Sequence, residues 1–173
     1  GAARSAMRVL ALNVNGLGSR RKRQRLFTFL AEHAYDVVVL LETHCDGPSA
    51  AAAWLREGAG PGRPWAGEAR WAHGTSSSRG VCVLLREGFQ LSQLSADYEG
   101  GGGRVLRVSW HDEAGGQPWA VVAAYAPNTC AEQASFFAAQ GPLVAALAAG
   151  AAGDFNCVLH TADSAVLCLA AAA

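Results

Sequence analysis

The chain has 173 residues, 51% hydrophobic and 16% charged, which is enough apolar content to bury a sizeable core and argues against intrinsic disorder. Its 14 basic and 14 acidic residues cancel, so it lacks the broad basic field of a strong autonomous duplex-binding protein. No stretch reaches the roughly 18 uninterrupted apolar residues of a membrane span, and Gly1 to Ala6 is too short, and lacks the apolar core, for a signal peptide.

Met7 to Asn13 has the pattern of a buried strand, and Asn15-Gly16 with Gly18 turns the chain. A helix follows, with Ser19 as N-cap, Leu26, Phe29 and Leu30 as its buried stripe, and an end near Glu32. Its first turns carry Arg20-Arg21-Lys22-Arg23-Gln24-Arg25, either a solvated face or a phosphate-contacting edge. Val37-Val38-Val39-Leu40-Leu41 is a fully buried strand that delivers Glu42 at its end. Ala50 to Glu57 forms a short helix stopped by the Gly58 to Pro64 loop.

Trp65 to Ala72 and Val81 to Leu85 are neighbouring strands across a polar connection, with further strands at Phe89 to Ala96, Arg104 to Trp110 and Trp119 to Tyr125. Ala131 to Ala149 is a helix that Gly141-Pro142 weakens and Gly150 ends. Ala151-Ala152 is a short strand leading to Asp154, His160 falls in a loop, and Ala170 to Ala173 is low-complexity. Cys45, Cys82, Cys130, Cys157 and Cys168 show no metal-binding spacing. They read as reduced thiols of a nuclear or cytoplasmic protein, Cys82 and Cys157 as small core fillers.

Polar residues sit where apolar runs end: Asn13 and Asn15 in Leu12-Asn13-Val14-Asn15-Gly16-Leu17, Glu42 in Leu41-Glu42-Thr43-His44, and Asp154 with Asn156 in Gly153-Asp154-Phe155-Asn156. Carboxylates and carboxamides converging from strand ends are oxygen ligands suited to a hard cation, and that chemistry points to phosphate-ester cleavage. A lone carboxylate after five apolar residues also carries a desolvation cost unless it is paired or bound to a cation.

In this order, with Tyr125-Ala126-Pro127-Asn128 between the second and third, the motifs resemble the endonuclease/exonuclease/phosphatase superfamily, nearest to the endonuclease domain of LINE-type (non-LTR) retrotransposons. The resemblance runs from about Met7 to about Asp163 within a single domain spanning the chain. It implies a mixed α/β (α+β) architecture, a DNase I-like four-layer α/β/β/α sandwich. The family's closing Ser-Asp-His motif, which supplies a second cleft carboxylate and the general-base histidine, has no match after Asn156. The sequence therefore reads as the front portion of such a domain, with much of the second half missing.

The resemblance implies a DNA-nicking phosphodiester hydrolase using Mg²⁺, with Mn²⁺ as a substitute, and DNA as the partner. It gives Glu42 and Asn13 the metal, Tyr125 a phosphate oxygen, Asp154 the attacking water and Asn156 the scissile phosphate. Arg20, Arg21, Lys22, Arg23, His44 and Asn128 are the candidate nucleic-acid contacts. A stand-alone repair endonuclease or phosphatase of the same superfamily, and an inactive binding remnant, are the alternatives.

Overall fold

In the computed structural model the described residues are 7–88, 90–91, 98–100, 102–111, 119–149, 158–161 and 164–172. β1 (Val9–Asn13) and β2 (Val37–Leu41) are parallel, joined by α1 (Arg20–His33), in a register that pairs Asn13 with Leu41. After α2 (Pro48–Glu57), β3 (Glu68–Ala72) and β4 (Val81–Leu85) form an antiparallel hairpin, giving the order β1-β2-β4-β3. Every residue of the two central strands, β2 and β4, is buried, as aliphatic runs covered on both faces must be.

The second sheet comprises β5 (Gln90–Leu91), β6 (Tyr98–Gly100), β7 (Val105–His111), β8 (Trp119–Tyr125), β9 (Val158–Thr161) and β10 (Ser164–Ala172), with α3 (Cys130–Ala149) between β8 and β9. Its order is β5-β7-β8-β10-β9, and β6 also pairs with β7. The alternation of β8 sends Val121, Ala123 and Tyr125 inward, where they meet Leu106, Val108 and Trp110 of β7 and Val37, Val39, Leu41, Val81, Val83 and Leu85 of the first sheet. The outer face of the first sheet packs Val38, Leu40, Cys82 and Leu84 against Phe27 and Leu30 of α1. On the second sheet α3 lies against β10, and Ala120, Val122 and Ala124 on the outward face of β8 are buried as well.

The expected N-cap is present, since Ser19 Oγ accepts from the Lys22 N–H at 3.4 Å. The buried stripe of α1 differs from the expected one: it consists of Arg23, Phe27 and Leu30, Leu26 is half-buried, and Phe29 is 37% exposed. β3 starts at Glu68 because the Trp65 N–H is bonded to the Leu55 carbonyl at 2.8 Å at the end of α2. His160 lies in β9, and Ala170 to Ala172 belong to β10, where pairing with Val121, Ala120 and Trp119 of β8 overrides the weak strand preference of alanine. The strand expected over Phe89 to Ala96 is described only at Gln90–Leu91, and Ala151-Ala152 lies outside the described residues. α3 runs through Pro142. Among the described residues no helix is long and apolar enough to cross a membrane.

Candidate active site

The parallel pairing of β1 with β2 brings their carboxyl ends to one edge of the first sheet, with Asn13 as the last residue of β1 and Glu42 just beyond β2. Tyr125, the last residue of β8, comes from the second sheet. The Glu42 to His44 segment is bent: Glu42 has φ 54 and His44 φ 56, left-handed conformations that side chains of this size adopt only when surrounding bonds impose them. Those bonds are present. The Thr43 and His44 N–H groups donate to the Gly80 and Arg79 carbonyls at 2.9 Å, and the Glu42 and Thr43 carbonyls accept from Gly16 at 2.6 Å and Leu17 at 2.9 Å. Thr43 is thereby turned fully inward while Glu42 and His44 face the cleft edge half-buried.

Asn13 sets the carboxylate. Its Nδ2 donates to Glu42 Oε1 at 2.8 Å, and its Oδ1 accepts from the Asn15 N–H at 3.0 Å. The second bond fixes the carboxamide so that its donor side faces Glu42. It also makes Asn13 the side chain that closes an Asx-type turn onto Asn15. Lys22 Nζ donates to the Asn15 carbonyl at 3.0 Å and braces the same turn.

The other carboxylate oxygen, Oε2, lies 3.6 Å from His44 Nε2. That separation is too long for a hydrogen bond, and Nε2 is buried with no hydrogen-bond partner, so His44 packs beside Glu42 without bonding to it. The His44 ring is wedged under Gly16: a Cβ at that glycine would lie 2.6 Å from Nδ1. Tyr125 is buried, its hydroxyl donates to Asn128 Oδ1 at 3.4 Å, and the Arg104 guanidinium stacks 5.2 Å over its ring. Burial, followed by the facing Glu42 carboxylate, raises the Tyr125 hydroxyl above the usual tyrosine range and keeps it a protonated donor.

One oriented carboxylate with a carboxamide beside it suits Mg²⁺, which keeps several waters and takes one or two carboxylates plus substrate phosphates. Glu42 therefore fits such an ion as a ligand, and Asn13, whose Nδ2 faces Glu42 and whose Oδ1 accepts from the Asn15 N–H, fits as the group that orients it. Among the described residues no group of three or more His, Cys, Asp or Glu gathers to enclose a metal. Asp154 and Asn156 lie outside the described residues.

The basic run divides. Arg20 and Arg21 are exposed, although Arg20 Nε pairs with Glu57 Oε1 at 2.8 Å. Arg23 is withdrawn from any phosphate edge: it is buried, its Nη2 lies 2.7 Å from Glu57 Oε2, its Nη1 donates to the Leu17 and Gly18 carbonyls at 2.8 Å, and it stacks 5.0 Å over Trp54. Its interior partners correct its assignment as a nucleic-acid contact. Sequence reasoning gave no site role to Gly16, Arg79 or Arg104. Arg79 falls in the polar connection before β4, and the signal at Arg104 was a lone cation between a glycine run and an apolar strand.

The Endonuclease/Exonuclease/phosphatase family model matches residues 10–171. The chain is 30% identical over 162 residues to the Transposon TX1 uncharacterized 149 kDa protein of Xenopus laevis, covering 91% of this chain and 12% of that protein. Among solved structures it resembles TDP2 from C. elegans, with a TM-score of 0.60 at 14% identity, covering 86% of this chain and 45% of that one. A selenomethionine form of the same protein gives a TM-score of 0.59 at 14% identity, with 85% and 44% covered. The two-sheet architecture with its flanking helices is thus the DNase I-like fold, and the chain belongs to the endonuclease/exonuclease/phosphatase family.

Proposed function

We propose that the chain is the DNA-nicking endonuclease domain of a LINE-type retrotransposon, a phosphodiester hydrolase that leaves a 3′-hydroxyl and a 5′-phosphate. The observation that carries this reading is the Glu42 carboxylate at the end of a buried strand, held at 2.8 Å by Asn13 and faced by Tyr125 from the other sheet. Glu42, oriented by Asn13, would hold Mg²⁺, which supplies neutralising charge at the scissile phosphate and the leaving oxygen.

The chain's own groups do the positioning. Asn13 keeps Glu42 in one orientation, and the Tyr125 hydroxyl, kept protonated, donates to a phosphate oxygen. By family resemblance, Asp154 orients the attacking water and Asn156 donates to the scissile phosphate. The transposon relative favours this reading over a stand-alone repair endonuclease or phosphatase. A second reading, nucleic-acid binding without turnover, is favoured by the missing Ser-Asp-His motif and the zero net charge.

Nicking of supercoiled plasmid in Mg²⁺ or Mn²⁺ tests the proposal. The expected result is weak nicking by the wild-type chain, slowed by about 10²- to 10⁴-fold for want of the family's general-base histidine, that is lost in Glu42→Ala and in Asp154→Ala. A folded chain that binds DNA and leaves the plasmid intact in both metals would overturn the hydrolase reading and leave the binding one.

A further inference from the structure

Arg79 lies in the connection between β3 and β4 with φ 60, a conformation that a residue of its size adopts only under constraint. The constraint comes from both sheets. Its carbonyl accepts the His44 N–H at 2.9 Å, and the next residue, Gly80, donates to the Gly103 carbonyl at 2.9 Å. Arg79 is therefore fixed between the segment that carries Glu42 and the turn that opens β7.

Its side chain reaches the second sheet, where a Cβ at Gly102 would come within 2.9 Å of Nη1. The residue is half-buried, yet among the described residues no hydrogen bond or ion pair engages its guanidinium. Other arginines contrast with it. Arg23 is committed to Glu57, and Arg104 donates to the Tyr125 carbonyl at 3.3 Å and stacks on the ring. A half-buried guanidinium that no described group engages, on a backbone held from both sheets, is available to an arriving anion.

We infer that Arg79 is an anion-binding residue that grips a backbone phosphate of the nucleic acid, adjacent to the phosphate that enters the Glu42 cleft. The inference rests on the proposed DNA substrate. A guanidinium offers two parallel donors to phosphate oxygens, and the lack of a side chain at Gly102 leaves room for the guanidinium on that side. The contact is indifferent to base sequence, so it sets where the strand lies rather than which sequence is chosen.

The test is equilibrium binding of the full chain to a short labelled DNA duplex in EDTA, repeated over a series of NaCl concentrations. Each phosphate contact contributes about 0.9 to the slope of log Kobs against log salt. Arg79→Gln is expected to weaken binding and flatten the slope by about that amount, Arg79→Lys to recover most of the slope, and Arg63→Gln, in the exposed loop after α2, to leave it unchanged. Circular dichroism and Tm of each variant show that the comparison is between folded chains.

A wild-type slope in Arg79→Gln, or an equal fall in Arg63→Gln, overturns the inference and leaves the proposed function standing. No duplex binding by the wild-type chain at any salt overturns both.

Discussion

Asn13 and Glu42 are 29 positions apart in sequence, and the 2.8 Å bond from Asn13 Nδ2 to Glu42 Oε1 joins the ends of two parallel strands. Because Asn13 Oδ1 is occupied by the Asn15 N–H, the carboxamide cannot flip without losing two bonds at once. Asn13 therefore acts on the proposed chemistry through Glu42. Asn13→Ala is expected to weaken Mn²⁺ binding by about 10- to 100-fold, the usual cost of losing a group that orients a ligand. Mn²⁺ titration followed by electron paramagnetic resonance checks this, and unchanged affinity would make the bond purely structural.

Gly16 and His44 are coupled through space. At φ +80, with a Cβ position 2.6 Å from His44 Nδ1, Gly16→Ala should cost about 1–3 kcal/mol from the backbone alone and more from the collision. His44→Ala removes the collision and leaves the backbone cost. In a double-mutant cycle by urea unfolding, the Gly16→Ala penalty is expected to be smaller in the His44→Ala background by about 1 kcal/mol. Strictly additive penalties would show that the ring moves aside freely.

Arg23 is a stability residue. Removing a mostly buried charge that pairs with Glu57 at 2.7 Å leaves that carboxylate with Arg20 alone and takes the donor from the Leu17 and Gly18 carbonyls, a loss of about 1–3 kcal/mol. Arg23→Ala is expected to lower Tm sharply, while the DNA affinity of the remaining folded fraction stays at the wild-type value. A variant with normal Tm and weakened DNA binding would restore Arg23 to the phosphate edge.

Tyr125 gives a pH signature. Its hydroxyl is raised from an ordinary value of 10.0, first by burial and then by Glu42. Above that pH the unfolded chain has lost a proton that the folded chain retains. This contribution to stability is therefore complete below about pH 10 and declines as pH rises toward and through the folded value. Tyr125→Phe should flatten the fall of Tm between pH 9 and 11, and parallel curves for the two proteins would dismiss the effect.

Glu42 was legible because five aliphatic residues in a row leave a carboxylate only one sensible place, the end of a buried strand. Asn13 followed from the same logic on the neighbouring strand. Arg23 was hidden by its company: within a run of cations nothing in residue type marks the one that faces inward, and only its position four before Phe27 and seven before Leu30 places it on the buried side. Phe29 misled for the converse reason, since an aromatic ring was assumed to be buried. It is instead partly exposed, against His33 at 4.2 Å and Tyr35 at 6.2 Å between ring centroids. The strands near Ala170 were unreadable locally because alanine has little strand preference, and their pairing with β8 is long-range.

The two sheets are built from consecutive stretches, the first complete by Leu85 and the second beginning at Gln90. A ribosome therefore releases the half carrying Glu42 before the half carrying Tyr125, and the Gly80 to Gly103 bond closes the join between them. An emerging chain can finish its first sheet and still have no working cleft. A cleft assembled in that order is complete only once the later half has docked.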